Sequence, residues 1–146
     1  HERVESHPIE AADGAHRFCA YAETPIETYR CYGTVFYILA AQFNLDEERI
    51  AAMCNEFDDD RRGQCYGNSA SRYLDTDTNL IPRAAQLCTM AASVGAGELC
   101  YQELLFDSVY DFGLDSPHFN ALCAALPAPW SARCFAGEGA TTVIHP

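Results

Sequence analysis

Eight cysteines at near-constant intervals constrain this chain more than any other feature. They stand at Cys19, Cys31, Cys54, Cys65, Cys88, Cys100, Cys123 and Cys134, spaced 12, 11, 12 and 11 residues within successive pairs and 23 between pairs. The first cysteines of the pairs therefore recur at 35, 34 and 35 residues. A fixed period in this range means stacked supersecondary units, each too small to bury its apolar face alone.

Aligning the units on their first cysteine reveals a helix. The positions four before, one before and three after it are Ala15, Phe18 and Ala22, then Ile50, Met53 and Phe57, then Ala84, Leu87 and Ala91, then Phe119, Leu122 and Leu126. With the cysteine they form the i, i+3, i+4, i+7 stripe of an amphipathic helix, called A, that ends soon after the cysteine. Aligning on the second cysteine gives helix B. It opens with an aromatic residue directly after the cysteine (Tyr32, Tyr66, Tyr101, Phe135). The same face continues four and eight residues on, through Phe36 and Ala40, Ala70 and Leu74, Leu105 and Val109, and Gly139 and Val143.

Helix punctuation falls between these stripes. Thr24-Pro25-Ile26-Glu27 reads as a capping box with proline at the first helical position. Asn44 to Glu47, Thr76 to Asn79 and Gly113 to Pro117 read as starts of the next A helix. The expectation is an all-α domain over 1–146, with units at about 8–44, 45–78, 79–114 and 115–146. Its eight helices form four αα-hairpins, arranged as a short solenoid or a compact right-handed array. Cross-unit pairing of the cysteines would strand Cys19 and Cys134, whereas pairing within units uses all eight. The predicted bridges are Cys19–Cys31, Cys54–Cys65, Cys88–Cys100 and Cys123–Cys134, each closing a loop of about a dozen residues for about 3 kcal/mol.

A helical hairpin of this length, repeated four times with one staple each, resembles in layout the tetratricopeptide and Sel1-like repeats, above all the cysteine-rich secreted Sel1-like group. Gly33 and Gly67 follow the Cys-Tyr step, while Gln102 and Ala136 stand there in the later units. The resemblance implies an architecture and carries no function with it.

Composition narrows the partners. A net charge of −12, with nine arginines and no lysine, argues against nucleic acid and anionic membrane surfaces. The longest apolar run, Val35 to Ala41, is too short to span a bilayer. Paired cysteines in so short a chain point to an oxidising compartment, secreted or periplasmic.

The expected function is a protein-interaction module, as a scaffold or accessory subunit of a cell-envelope assembly, with oligomerisation or a larger complex in view. No catalytic motif is present, so no enzymatic activity is expected. Helix B of the first unit (B1, Thr34–Phe43) is apolar over most of its circumference, as to a lesser degree is that of the third (B3, with Leu104, Leu105, Phe106, Val109, Tyr110 and Phe112), which fits an intramolecular core. The sharper expectation is that Tyr37 and Phe43 on B1, with Tyr110 and Phe112 on B3, meet a partner. The alternative is a ligand or metal carrier. It would use a cavity between helices or copper at His1, whose amine and imidazole bind together, with His7 or His16 as a third nitrogen. Asp75 to Asn79 begins like a calcium loop but has Leu80 and Gln86 where that loop needs glycine and glutamate, so it reads as an inter-unit turn.

Overall fold

The computed structural model describes residues 8–141. Eight α-helices occur in them: α1 (Pro8–Phe18), α2 (Pro25–Gln42), α3 (Glu47–Cys54), α4 (Asp59–Thr76), α5 (Ile81–Ser93), α6 (Gly97–Asp107), α7 (Pro117–Ala125) and α8 (Trp130–Phe135). Odd-numbered helices are the A helices and even-numbered ones the B helices, with no strand among the described residues.

Helix starts follow the local chemistry. The Thr24 side chain accepts from Glu27 N while the Glu27 carboxylate takes the Thr24 amide, completing the capping box that launches α2. Asp46 and Ser116 cap α3 and α7 by the first of these bonds alone, accepting from Arg49 N and Phe119 N. Asp77 takes the Asn79 amide, so the calcium-like stretch is the turn between units. A π-helical turn over Ser108–Phe112 prolongs α6.

All four disulfides join cysteines of one unit, as the spacing predicts, with Cα atoms 5.3 to 5.7 Å apart. They tie the second half or the end of each A helix to one of the first two turns of its B helix, and no cysteine is free. Successive A helices pack on one another, α1 on α3, α3 on α5 and α5 on α7. Successive B helices do the same, α2 on α4, α4 on α6 and α6 on α8. The buried stripe of each element faces the other layer. Ile50, Met53, Phe57, Ala84, Leu87, Phe119 and Leu122 come from the A side, and Phe36, Tyr66, Ala70, Leu105 and Tyr101 from the B side.

Two departures from the repeat lie at its ends. Phe18 is 64% exposed, whereas its equivalents Met53, Leu87 and Leu122 are fully buried. Helix α1 stops at Phe18 and packs chiefly on α3, leaving a gap beside α2. In the last unit helix B was expected to run on through Gly139 and Val143. Instead α8 ends at Phe135, because Gly137 takes the left-handed conformation (φ 81°) and a 3-10 turn follows at Glu138–Ala140. Val143 lies outside the described residues. Phe135 is 48% exposed, unlike the aromatic residues after the other second cysteines, and its ring meets Phe119 edge-on.

The B helix that contributes the most buried residues is the polar α4. Helix α4 reads as polar outside one stripe, yet Gly63, Gln64, Gly67 and Ser69 are buried along with its aromatic anchors. It sits between α2 and α6; its own Gly63 and Gly67 let α6 approach, and Gly33 of α2 does the same on the other side. A Cβ at Gly67 would lie 2.8 Å from Glu103 Cγ, and one at Gly63 would lie 3.1 Å from Leu99 Cβ.

Candidate functional site

The B layer has a repeating joint. Counting from the second cysteine of each unit, the residues two before, two after and six after meet the next B helix. Its residues one before, three after and seven after receive them. In α2 the first set is Tyr29, Gly33 and Tyr37, and in α4 the second set is Gln64, Asn68 and Arg72. Gln64 Nε2 donates to Tyr29 O at 2.8 Å, Asn68 Oδ1 would be 3.3 Å from a Cβ on Gly33, and the Arg72 guanidinium lies 4.5 Å from the Tyr37 ring centroid. The α4–α6 joint repeats the register, with Gly63, Gly67 and Ser71 against Leu99, Glu103 and Asp107.

These joints enclose a seam of acids. The Tyr29 hydroxyl reaches past α4 to donate to Glu103 on α6. Glu103, Asp107 and Asp111 follow at i, i+4 and i+8, which puts them in one row. The Ser71 hydroxyl lies against Asp107, whose Oδ2 is buried without a hydrogen-bond partner. Asp111 shares a hydrogen bond with Asp75, which also accepts from the Tyr37 hydroxyl at 2.7 Å. Burial raises the Glu103 carboxyl above its usual range, against the pull of the Tyr29 bond. Burial, then the charges of Glu103 and Asp111, hold Asp107 well above the aspartate range. Asp111 rises to about 7, through burial and the hydrogen bond with Asp75. Glu103 and Asp107 are buried carboxyls whose charged forms have lost water without gaining an arginine partner, whereas Asp111 lies exposed at the end of the row and is raised in part by its neighbour Asp75.

A cleft flanks each end of the seam. One of about 420 Å³ opens beside Tyr29 and Gln64, between Glu23, Asp60 and Arg61. The other, of about 310 Å³, gathers Asp111, Phe112, Ser116 and His118. The Phe112 and His118 rings pack at 5.4 Å, and the Ser116 hydroxyl is spent on capping α7.

Beyond the seam lie two apolar surfaces on the B layer, one beside α2 and one on α6. The first is a groove of about 270 Å³ between α1 and α2, floored by Ala11, Gly14 and Ala15 and walled by Phe18, Val35 and Ile38. The second is the stacked pair Phe106–Tyr110 on α6, with ring centroids 5.6 Å apart and Tyr110 78% exposed.

The sequence-predicted partner residues separate accordingly. Tyr110 is exposed, as a contact residue must be. Phe112 is half-buried at the cleft beside His118. Tyr37 is committed to the α2–α4 joint through Asp75 and Arg72. Phe43 is a correction: it is fully buried in the core, with the Arg49 guanidinium 4.8 Å from its ring, and no partner can reach it. His1 and His7 lie outside the described residues. His16 is occupied, its Nδ1 2.6 Å from the Tyr32 hydroxyl and its ring 4.9 Å from that of Phe57. Among the described residues no group of three or more His, Cys, Asp or Glu could hold a metal ion. None of their helices is long and apolar enough to cross a membrane.

The sequence reading passed over the acid row, although its i, i+4, i+8 spacing was visible. It also passed over Phe18 and Ile38, whose exposure depends on what fails to cover them. No protein-family model, curated protein or solved structure matches the chain. The likeness to Sel1-like repeats stays one of layout.

Proposed function

We propose that this protein is an interaction module of an oxidising compartment, secreted or periplasmic, serving as a scaffold or accessory subunit of a cell-envelope assembly. The observation that carries this reading is the pair of apolar surfaces on the B layer. Phe18, Ile38, Phe106 and Tyr110 are all at least 36% exposed, the first two lining one groove and the last two stacked on each other. Contiguous apolar surface of this kind marks a contact site. Four staples in a small domain keep such surfaces fixed in shape, which lowers the ordering cost of binding.

A photo-crosslinking residue placed at position 38 or 110, in cells that make the protein, tests this. The expected result is a discrete adduct from each position and none from position 86, an exposed polar site on α5. Adducts of equal yield and pattern from all three positions, or none from any, would rule the reading out.

A further inference from the structure

The turn that prolongs α6 is fastened to α4 by two carboxyls. Asp111, in the π-helical turn Ser108–Phe112, shares a hydrogen bond with Asp75 near the end of α4. The Tyr37 hydroxyl donates its one hydrogen to Asp75 Oδ2. An ionised carboxylate only accepts, so the hydrogen between Asp75 and Asp111 is a carboxyl proton. Arg72, on the same helix as Asp75, turns its guanidinium to the Tyr37 ring and carbonyl oxygen. Ion pairs among the described residues lie elsewhere, at Asp13–Arg17, Glu47–Arg83 and Glu138–Arg133.

The charge around the pair is acidic apart from His118. Asp107, one turn earlier on α6, adds a buried carboxyl whose Oδ2 has no hydrogen-bond partner. From α7, His118 lines the same cleft as Asp111 and packs its ring on Phe112. The Glu138–Ala140 turn brings Glu138, paired with Arg133, and sets Gly139 against Val109. The Thr78–Leu80 turn adds the Thr78 wall of the cleft and no charge. Beyond the pair the chain has a hinge: Gly113 takes φ 83° with nothing within 4 Å of its Cβ position, and Asp115 takes φ 64°. Tyr110 sits inside the same π-helical turn, and its exposed ring stacks on Phe106 of α6. How the turn is held therefore sets where that ring lies.

We infer that the Asp75–Asp111 pair is a proton-operated latch on the Ser108–Phe112 turn, closed in mild acid to hold Tyr110 over Phe106 and opened at higher pH to release the turn and its contact surface. This rests on the interaction-module reading and adds its regulation. The closed pair holds a proton that two separated carboxyls would give up, so protons favour closure. Asp111 keeps that proton up to about 7. Above this, two adjacent carboxylates repel each other with Asp107 behind them, and the Gly113 hinge lets the turn swing away.

Hydrogen–deuterium exchange of the full oxidised chain at pH 5.5 and pH 8, corrected for the intrinsic exchange rate, reads the latch. Protection of amides 108–113 should fall by about 10-fold, less than the full shift of Asp111 allows because solvent screens an exposed pair. At pH 8 dilute urea should leave exchange in the turn unchanged while speeding it in α5, the mark of local opening. Asp111→Asn supplies an amide donor to Asp75 without a titrating proton, so its turn should stay protected at both values. His118→Phe keeps a ring on Phe112 and should leave the pH dependence in place. Protection that does not change with pH overturns the latch, as does a pH dependence that survives in Asp111→Asn or a turn that opens only together with α5. In cells buffered at the two values, a photo-crosslinking residue at position 110 should give more adduct at pH 5.5, and one at position 38 the same amount at both. Equal yields from position 110 overturn the latch's control of the surface and leave the interaction-module reading standing. Absence of adducts from both positions sinks that reading instead, while the exchange result still decides the latch.

Discussion

The Tyr29 hydroxyl donates to the Glu103 carboxylate although the two residues stand two repeat units apart. A nearest-neighbour stack would not need such a bond. It ties α2 directly to α6 and encloses the polar side of α4. Tyr29→Phe leaves a buried acceptor unpartnered, which should cost about 1–3 kcal/mol. Glu103→Gln keeps an acceptor and removes a buried acid, so it should be neutral or stabilising above pH 7. Urea unfolding of both variants checks this; equal midpoints for wild type and Tyr29→Phe would mean the bond contributes nothing.

The acid row should make the fold more stable in mild acid than at neutral pH. Glu103, Asp107 and Asp111 all titrate above their ordinary range, so the folded state holds protons that the unfolded chain releases. Their contribution is complete below the unfolded carboxyl values, near about 4. It is lost as pH rises through the folded value, about 7 for Asp111. Glu27, Glu47 and Glu138 are shifted the other way, so their contribution falls away only in stronger acid. The groups facing Asp111 are Asp75 on α4 and, through it, Tyr37 on α2, whose ring carries Arg72. Thermal melts should show Tm falling from pH 5 to pH 8, and Asp111→Asn should flatten that slope.

Gly139 has no room for a methyl group. A Cβ there would lie 1.9 Å from Leu105 O, a backbone atom that cannot step aside. Gly139→Ala should destabilise by about 3 kcal/mol or more, as overpacking against a fixed neighbour does. Gly14 is the counter-case, with nothing within 4 Å of its Cβ position inside α1. Gly14→Ala should stabilise by about 0.5–1 kcal/mol. Calorimetry on the two variants should give shifts of opposite sign.

Phe43→Ala should cost about 3–5 kcal/mol through loss of a fully buried ring. It should not alter the crosslinking pattern at positions 38 and 110 in whatever fraction remains folded. A Phe43→Ala protein of unchanged stability would return that ring to the surface.

The staples, and both helix registers in the middle units, were legible because each rests on local chemistry repeated along the chain. Caps such as Thr24 and Asp46, and stripes such as Ile50-Met53-Phe57, declare themselves within one turn of helix. Helix α4 was not legible. Its polar face reads as wet, and only the approach of α6 at Gly63 and Gly67, and of α2 at Gly33, turns it inward. Phe43 and Ile38 show the same limit from the apolar side. Both lie on B1, whose composition names no face, and one is fully covered while the other is 47% exposed. What covers a face is set by neighbours dozens of residues away, and one helix's periodicity holds no record of them.

Because every bridge joins a cysteine to the next one along the chain, no bond has to wait for a residue made much later. A polypeptide entering an oxidising space amino end first would find each correct partner within a dozen residues, and could close Cys19–Cys31 before Cys54 arrives. Interlocked frameworks need shuffling by an isomerase to escape wrong pairs. Here the order of synthesis is also the order of correct oxidation, and an intermediate with two closed bridges already contains two finished hairpins.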